Sequence, residues 1–434
     1  MAGAGLSGGT GSDGQGGTAV KRSTGPVVDP VARWFLREEA SVGLVFDFRG
    51  PVPPFGSFAA RVSHRAAALP VLRQSLPERR DRRWPPSEAP PAGSVHVRHH
   101  RSSHAQDMED ATNRVLREPL PGGVHPAWDM WLLDDPADGA SFRVCYRVHH
   151  GLLDGVGAAN VALTLLADRA VPGPRAHHPA FPTPRGALAA ATGVALSRRS
   201  AQHWAELPTR RPPHGHFLFR DVPERMARTL AMTYGTSVND VGLAALAQAL
   251  RAWRLSPATT GTCPDLPVLV PMTLRNDLQT CAVGNHFTTM RLRLPCSAGT
   301  FDEALRRVHR RTSTWRRTRA RDSARLAFGV LPGRFAGRLC DRMAAATSAP
   351  VTVSSITLPA TFTCHGAPLR AAALLSSLHR GSPTYVSLTR AAGVIRCALH
   401  HAPSLRDPST ITQHWEQAVH KARRDVADRP GGGE

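Results

Sequence analysis

Residues 149–155 read HHGLLDG, from His149 to Gly155, and the residue pattern changes on either side of them. Upstream, Phe142–His149 has the aromatic and β-branched content of a buried strand. Downstream, VGAANVALTLLADRA sets Val156, Ala159, Leu163 and Leu166 along one apolar helical face. The seven residues therefore join a strand to a helix through a tight turn. A histidine at such a strand end suits general base catalysis, because a neutral imidazole can take a proton from a hydroxyl or amine near neutral pH. His150 has that position. Asp154, at the helix start, can accept an imidazole N–H or pair with a distant arginine. Gly155 permits either unusual dihedrals or the close approach of another backbone.

The same reading extends along the chain as two mixed α/β halves. Residues 1–24 are rich in Gly, Ser and Thr and are expected to be a disordered tail. The tail's GxGxxG, at Gly3, Gly5 and Gly8, follows no strand and opens no apolar helix, so it reads as tail composition. Residues 25–170 form the first half. It has expected strands at Gly43–Gly50, Val95–Arg98, Trp128–Leu133 and Phe142–His149, and a helix over Phe58–Leu69. Residues 171–215, rich in Pro, Arg and His, read as a linker. Residues 216–427 form the second half, and residues 428–434 a short tail. In the second half, Thr236 or Ser237 is expected to cap a helix running to Trp253. Strands follow at Leu266–Leu274 and His286–Leu294, then helices over Thr300–Arg317 and Phe335–Ala346. Strands return at Val351–Thr357, Arg370–Ser376, Thr384–Thr389 and Val394–His400, before a last helix over Ser409–Val426.

Composition narrows the partners. The 434 residues are 41% hydrophobic, enough for a sizeable core, and carry a formal net charge of +21. Nearly all the basic residues are arginine; the lysines are Lys21 and Lys421. The arginines are spread along the chain with no helix-turn-helix, zinc-finger or RNA-binding signature, so nucleic acid is not expected. A basic surface of this kind is solvated, sits on anionic lipid or collects acidic small molecules. The seven cysteines, at 145, 263, 281, 296, 340, 364 and 397, form no CxxC pair and read as buried free thiols in a reducing compartment. No signal peptide is visible, and the longest apolar stretch, Gly186–Leu196, is too short to span a bilayer. The expected location is cytoplasmic, with peripheral membrane contact. The other histidine pairs, at 99–100, 177–178 and 400–401, lack the pattern of 149–155, and no metal site is expected.

HHGLLDG matches HHxxxDG, the motif of the coenzyme A-dependent acyltransferase superfamily. Chloramphenicol acetyltransferase, peptide synthetase condensation domains and the wax ester synthase/diacylglycerol acyltransferase family share it. Further segments resemble the last of these. VNDVGLAALAQALRAW carries Asn239 and Asp240 at its start. LPVLVPMTLR ends on Arg275, and VGNHFTTMRLRLP carries Gly284 and Asn285. HPAWDMWLLDD is similar to a family segment, with Ala127 in place of a leucine. The order and spacing agree over roughly residues 27–425.

The resemblance implies a pair of chloramphenicol-acetyltransferase-like halves with an active-site channel between them. It implies His150 as the base that activates an acceptor hydroxyl against an acyl thioester, with no covalent acyl-enzyme. Acyl-CoA would be a substrate rather than a cofactor. The acceptor would be diacylglycerol or a long-chain alcohol, met at a membrane or lipid droplet. By analogy Asp154 pairs with Arg275, and His149 and Gly155 support the site. For Asn239 and Asp240, helix capping and substrate contact both stand, as do a simple turn and substrate binding for Gly284 and Asn285.

Two segments depart from the family. Where a segment resembling SNVPGP is usual, the chain reads Ser354-Ser355-Ile356-Thr357-Leu358-Pro359. His400 and His401 stand where an acidic residue is usual. These departures leave the proton-transfer motif intact and bear on the substrate. They keep open a condensation-type enzyme that forms an ester or amide in natural-product synthesis. A non-catalytic binding protein is the third reading, and the intact motif argues against it.

Overall fold

The structure, a computed structural model, describes residues 27–78, 81–87, 95–101, 107–134, 139–169, 184, 185, 188, 204–210, 214–255, 262–275, 283–318, 321, 333–345, 347–378 and 383–428. The expected tail over 1–24, most of the expected linker over 171–215, Cys281 and residues 429–434 lie outside the described residues.

In chain order the strands are β1 (Ser41–Arg49), β2 (Val97–Arg101), β3 (Trp128–Asp134), β4 (Ser141–His149), β5 (His216–Pro223) and β6 (Leu266–Thr273). They continue as β7 (Phe287–Leu294), β8 (Val351–Thr357), β9 (Thr363–Cys364), β10 (Ala367–Ser376), β11 (Thr384–Ala391) and β12 (Val394–His401). The helices are α1 (Pro30–Glu38), α2 (Phe55–Ala67), α3 (Asp107–Arg117), α4 (Gly155–Leu166), α5 (Glu224–Thr233), α6 (Val238–Arg254), α7 (Phe301–Thr318), α8 (Gly333–Met343) and α9 (Pro408–Ala427). Two six-stranded sheets result, ordered β2-β3-β4-β1-β10-β9 and β5-β12-β11-β8-β6-β7. This is the α/β architecture of two halves that the sequence led us to expect.

The pleat explains how β1 and β4 build two cores at once. Leu44, Phe46 and Phe48 on β1 and Val144, Tyr146 and Val148 on β4 face the large core under α2 and α4. Val45 and Cys145 face the opposite layer, with Ala111 and Val115 of α3. The arginines of β4 also face that layer, and each finds a carboxylate. Arg143 pairs with Asp47, and Arg147 with the fully buried Asp129. Gly43 of β1 lies so close to the carbonyl of Tyr146 that a side chain there would collide with backbone. Glycine is therefore required at this point by approach, not by dihedral angle.

Three expectations need correction. First, the two halves are not contiguous in sequence. β9 and β10, within the expected second half, join the first sheet, and β10 pairs antiparallel with β1. β10 is buried on both faces from Ala371 onward, so it needs cover on both sides. One face meets the first core. The other, through Ala373 and Leu375, packs with Phe217 and Ala398. The edge of β10 turned away from β1 touches β11, where Ser387 Oγ donates to Leu374 O at 2.7 Å and Leu374 N–H donates to Thr389 Oγ1 at 2.8 Å. Second, part of the expected linker is core. Trp204 and Leu207 are buried in the second half, and the Arg254 guanidinium stacks 4.6 Å over the Trp204 ring. Third, α4 is buried nearly all round, through Ala158, Val161, Ala162 and Leu165 as well as the expected face. It is a core helix between the site and the sheet.

Candidate active site

β4 ends at His149, and the turn after it is fastened to both neighbouring strands' ends. His149 N–H donates to Ala127 O at 2.9 Å, and His150 N–H donates to Ala40 O at 2.7 Å. The two histidines then diverge. His150 lines an apolar cavity of about 670 Å³, while His149 lines a second, more polar cavity of about 870 Å³. The His149 Nδ1 accepts the Gly151 N–H at 3.0 Å, which ties this ring to its own turn. His149 is thus held within its own turn.

The His150 ring lies flat on Phe35, with centroids 3.8 Å apart and planes 8° from parallel, and Phe287 stands 6.0 Å away. Burial pushes the His150 pKa down to about 4, overcoming upward pulls from backbone hydrogen bonding, Asp154 and Asn285. Burial and the neighbouring His150 likewise push His149 down to about 4. Both imidazoles are therefore neutral near pH 7, the state a general base requires.

Asp154 is the N-cap of α4, and its carboxylate is surrounded by donors. Oδ1 accepts the Gly157 N–H at 2.8 Å. Oδ2 accepts Arg275 Nη1 and the His286 N–H, each at 2.7 Å. Arg275 also donates through Nη2 to Gly284 O at 3.0 Å, and the same carbonyl accepts the Asp154 N–H at 3.2 Å. Gly284 has φ +110°, a conformation that glycine adopts without penalty. Asn285 Nδ2 donates to His150 O at 2.9 Å and to Gly151 O at 2.7 Å. Arg275 and the residues from Gly284 to His286 thus reach across from the second half and clamp the turn that presents His150.

This placement sorts the sequence candidates. His150, Asp154, Gly155 and Arg275 all line the apolar cavity. Asp154 nevertheless braces the turn, its carboxylate accepting from Gly157, Arg275 and His286. Gly284 and Asn285, suggested as substrate-binding residues, line neither cavity and hold the turn instead. Gly155 makes the close approach allowed for it, but to a side chain: a Cβ there would lie 3.0 Å from Leu374 Cδ2 on β10. Asn239 and Asp240 also line neither cavity. Asp240 forms a capping box with Ser237 at the start of α6. It also accepts His309 Nδ1 at 3.0 Å and Thr312 Oγ1 at 2.8 Å, bolting α7 to α6. Burial alone would raise its pKa, yet these hydrogen bonds and Arg316 pull it below the ordinary carboxylate value. Its support goes to the second half, not directly to the site.

Two contributors escaped the sequence reading: α1, which brings Trp34 and Phe35 to the cavity, and β11, which brings Tyr385. The signal for α1 was present as Asp29-Pro30. Asp29 Oδ1 accepts the Val31 and Ala32 N–H groups at 2.8 Å, and proline fits the first helical turn. The departing segment Ser354–Pro359 lines the apolar cavity throughout, so the chain differs from the resembled pattern in the wall of this cavity. His400 is buried outside that wall, stacked 3.9 Å from Phe217 and bonded through Nδ1 to Ser376 O at 2.8 Å.

Comparison with known proteins agrees with this geometry. Residues 44–237 match a family model described as the wax ester synthase/diacylglycerol acyltransferase catalytic domain, and residues 283–422 match the WS/DGAT C-terminal domain. A protein of Mycobacterium tuberculosis named as a diacylglycerol O-acyltransferase, found in two strains, is 27% identical over 241 residues. That match covers 47% of this chain and 48% of the relative, so the chain spans about half the length of the curated relatives it matches. Among solved structures, the wax ester synthase/diacylglycerol acyltransferase from Marinobacter aquaeolei VT8 aligns with a TM-score of 0.62 at 18% identity, covering 93% of this chain and 100% of that one. The first condensation domain of the CDA synthetase also gives 0.62 at 18% identity, covering 93% and 96%. The starter condensation domain of rhizomide synthetase, solved with C8-CoA, gives 0.60 at 14% identity, covering 92% of each chain. These structures share the two-halved fold.

Proposed function

Because the chain belongs to the wax ester synthase/diacylglycerol acyltransferase family, we propose that it moves a fatty acyl group from acyl-CoA to the hydroxyl of diacylglycerol or a long-chain alcohol. The observation that carries this reading is a neutral, buried His150 facing a cavity of about 670 Å³ with mostly apolar walls. Such a cavity has the size and character of a small-molecule site. His150 would take the acceptor proton as its oxygen attacks the thioester carbonyl. The tetrahedral oxyanion would collapse with loss of the coenzyme A thiolate, which recovers the proton from the imidazolium. Each step is balanced without a covalent enzyme intermediate, a metal or a cofactor. The closing test is release of free thiol from palmitoyl-CoA by purified protein, in the presence of diacylglycerol or hexadecanol. Equal release by His150→Ala would sink the assignment of the base.

A lipid acceptor calls for a lipid surface nearby. No helix among the described residues is long and apolar enough to cross a membrane. Peripheral contact at the cytoplasmic face is supported by the +21 charge and by α8, where Phe335 is 46% exposed while Cys340 and Met343 line the apolar cavity. A second reading, ester or amide formation in natural-product synthesis, is supported by the altered wall at Ser354–Pro359. Turnover with free acyl-CoA and a simple lipid alcohol argues for the first reading. Turnover only with a carrier-bound acyl group argues for the second.

A further inference from the structure

The apolar cavity has two kinds of wall. On β8, Val351 and Val353 point into the second core, so the alternate residues Thr352 and Ser354 face the cavity. β11 follows the same rule: Val386 lies in the core, and Tyr385 faces the cavity beside Thr352 in the parallel pairing. Thr289 of β7, next to the core residue Met290, adds a further hydroxyl. The helices contribute differently. α1, α4 and α8 bring Trp34, Phe35, Leu163 and Met343. The sheet wall thus carries hydroxyls, while the helix wall is mostly apolar. Ser354 and Tyr385 are both buried. Burial raises the Tyr385 pKa above its ordinary 10, and hydrogen bonding with Ser354 offsets only part of the rise. The phenol therefore keeps its proton at any working pH. Two hydroxyls carry two protons, and a bond between them uses one, so the pair can still donate to a guest.

We infer that the sheet wall, through Tyr385 and Ser354, is a polar subsite for a lipid that carries an oxygen in addition to the one that reacts. This rests on the acyltransferase reading for the guest being a lipid. A plain alkyl chain would displace water from these hydroxyls and return no hydrogen bond, which leaves buried polar groups unsatisfied. A chain with an ester, ether or hydroxyl oxygen against the sheet meets the donor there, while its methylenes cover the helix wall. Such an oxygen belongs either to the acceptor, as in a glyceride, or to a hydroxylated acyl chain. In both cases an unsubstituted chain is the poorer guest for this wall.

The test uses Tyr385→Phe, which keeps the ring, and the double variant Tyr385→Phe with Ser354→Ala. Titration calorimetry compares undecanol with the set of monoether alcohols in which oxygen replaces one chain methylene of undecanol, its position moved along the chain. A ratio of affinities measured on one preparation does not depend on how much of it is folded. For at least one oxygen position the ether-to-undecanol ratio is expected to fall about fivefold in Tyr385→Phe, the worth of one hydrogen bond, and no less in the double variant. An unchanged ratio at every position overturns the inference. Thiol release tells the two sources apart. A lower kcat/KM for diacylglycerol relative to hexadecanol in the variants places the oxygen on the acceptor. A lower value for a hydroxylated palmitoyl-CoA relative to palmitoyl-CoA places it on the acyl chain. A Tyr385→Phe variant that slows all these substrates alike overturns the inference and moves the phenol to the reacting centre. Native protein that releases no thiol defeats the acyltransferase reading, and the binding ratios, which need no turnover, still decide the subsite.

Discussion

Arg275 Nη1 donates to Asp154 Oδ2 at 2.7 Å, and both side chains are almost completely buried, at 2% and 5% exposure. The bond spans 121 positions of the chain and joins the end of β6 to the cap of α4. Removing one member of such a pair leaves a buried charge without its counter-charge, at a cost of about 3–5 kcal/mol. Asp154→Asn is therefore expected to lower unfolding stability on that scale, and thiol release with it. Arg275→Met should do the same. The double variant should cost less than the sum of the two, since neither charge is then left alone. Chemical denaturation of all four proteins checks this. A fully stable but inactive Asp154→Asn would give Asp154 a part in the chemistry instead.

His150 gives a prediction about pH. As the proposed base it would act in its neutral form, and burial has moved its pKa from the ordinary 6.5 to about 4. The acid limb of kcat/KM is therefore expected near pH 4 rather than near 6.5. Stability moves in the same direction. Between pH 6.5 and about 4 the unfolded chain binds protons at His149 and His150 that the folded chain refuses. Stability is thus complete above the unfolded value and falls as pH drops through this window. Melting temperature measured from pH 7.5 to 4.5 should fall, and fall less steeply in His150→Ala. The same variant should lose about 100-fold or more in kcat/KM at pH 7.5, the usual contribution of a general base. An acid limb at 6.5 in the native protein would show that the imidazole is solvated in the working state.

Asp240 tests whether a residue resembling a family signature must touch substrate. Its carboxylate is 0% exposed and accepts from Thr312, His309 and the α6 cap. Asp240→Ala leaves those donors without their acceptor, which costs about 1–3 kcal/mol for each buried group. The expected result is a lower melting temperature with KM for palmitoyl-CoA unchanged. A raised KM at undiminished stability would restore direct contact.

Asp240 and His150 also show what could be read from sequence. HHGLLDG announces its strand, turn and helix because each lies within a few residues and depends on local pattern. The brace by Arg275 was reached through resemblance, since nothing local in LPVLVPMTLR points to residue 154. The place of β10 was not legible at all. AAALLS has the buried character of a central strand, and which sheet it enters depends on whether β1 or β11 offers the open edge. α3 was missed for another reason: DMEDATNRVLR has few apolar residues, and its burial rests on Ala111 and Val115. The cavity wall at Ser354–Pro359 was noticed as a departure, yet only the parallel pairing of β8 with β11 turns it toward His150's cavity.

Phe35 allows the origin of the His150 environment to be tested from outside the motif. It lies on α1, is 3% exposed and covers one face of the imidazole at 3.8 Å. Water reaching that face would restore part of the hydration that burial has removed, and so favour the charged form. Phe35→Ala is expected to raise the His150 pKa toward the ordinary value. The acid limb of kcat/KM would then move up from near pH 4. Truncating a buried phenylalanine also costs about 3–5 kcal/mol, so the measurement belongs at a temperature where circular dichroism shows the variant folded. Phe35→Leu keeps most of the apolar volume and should shift the limb less. If neither variant moves it, the low pKa comes from the rest of the pocket, with Phe287 and the β4 turn as its source.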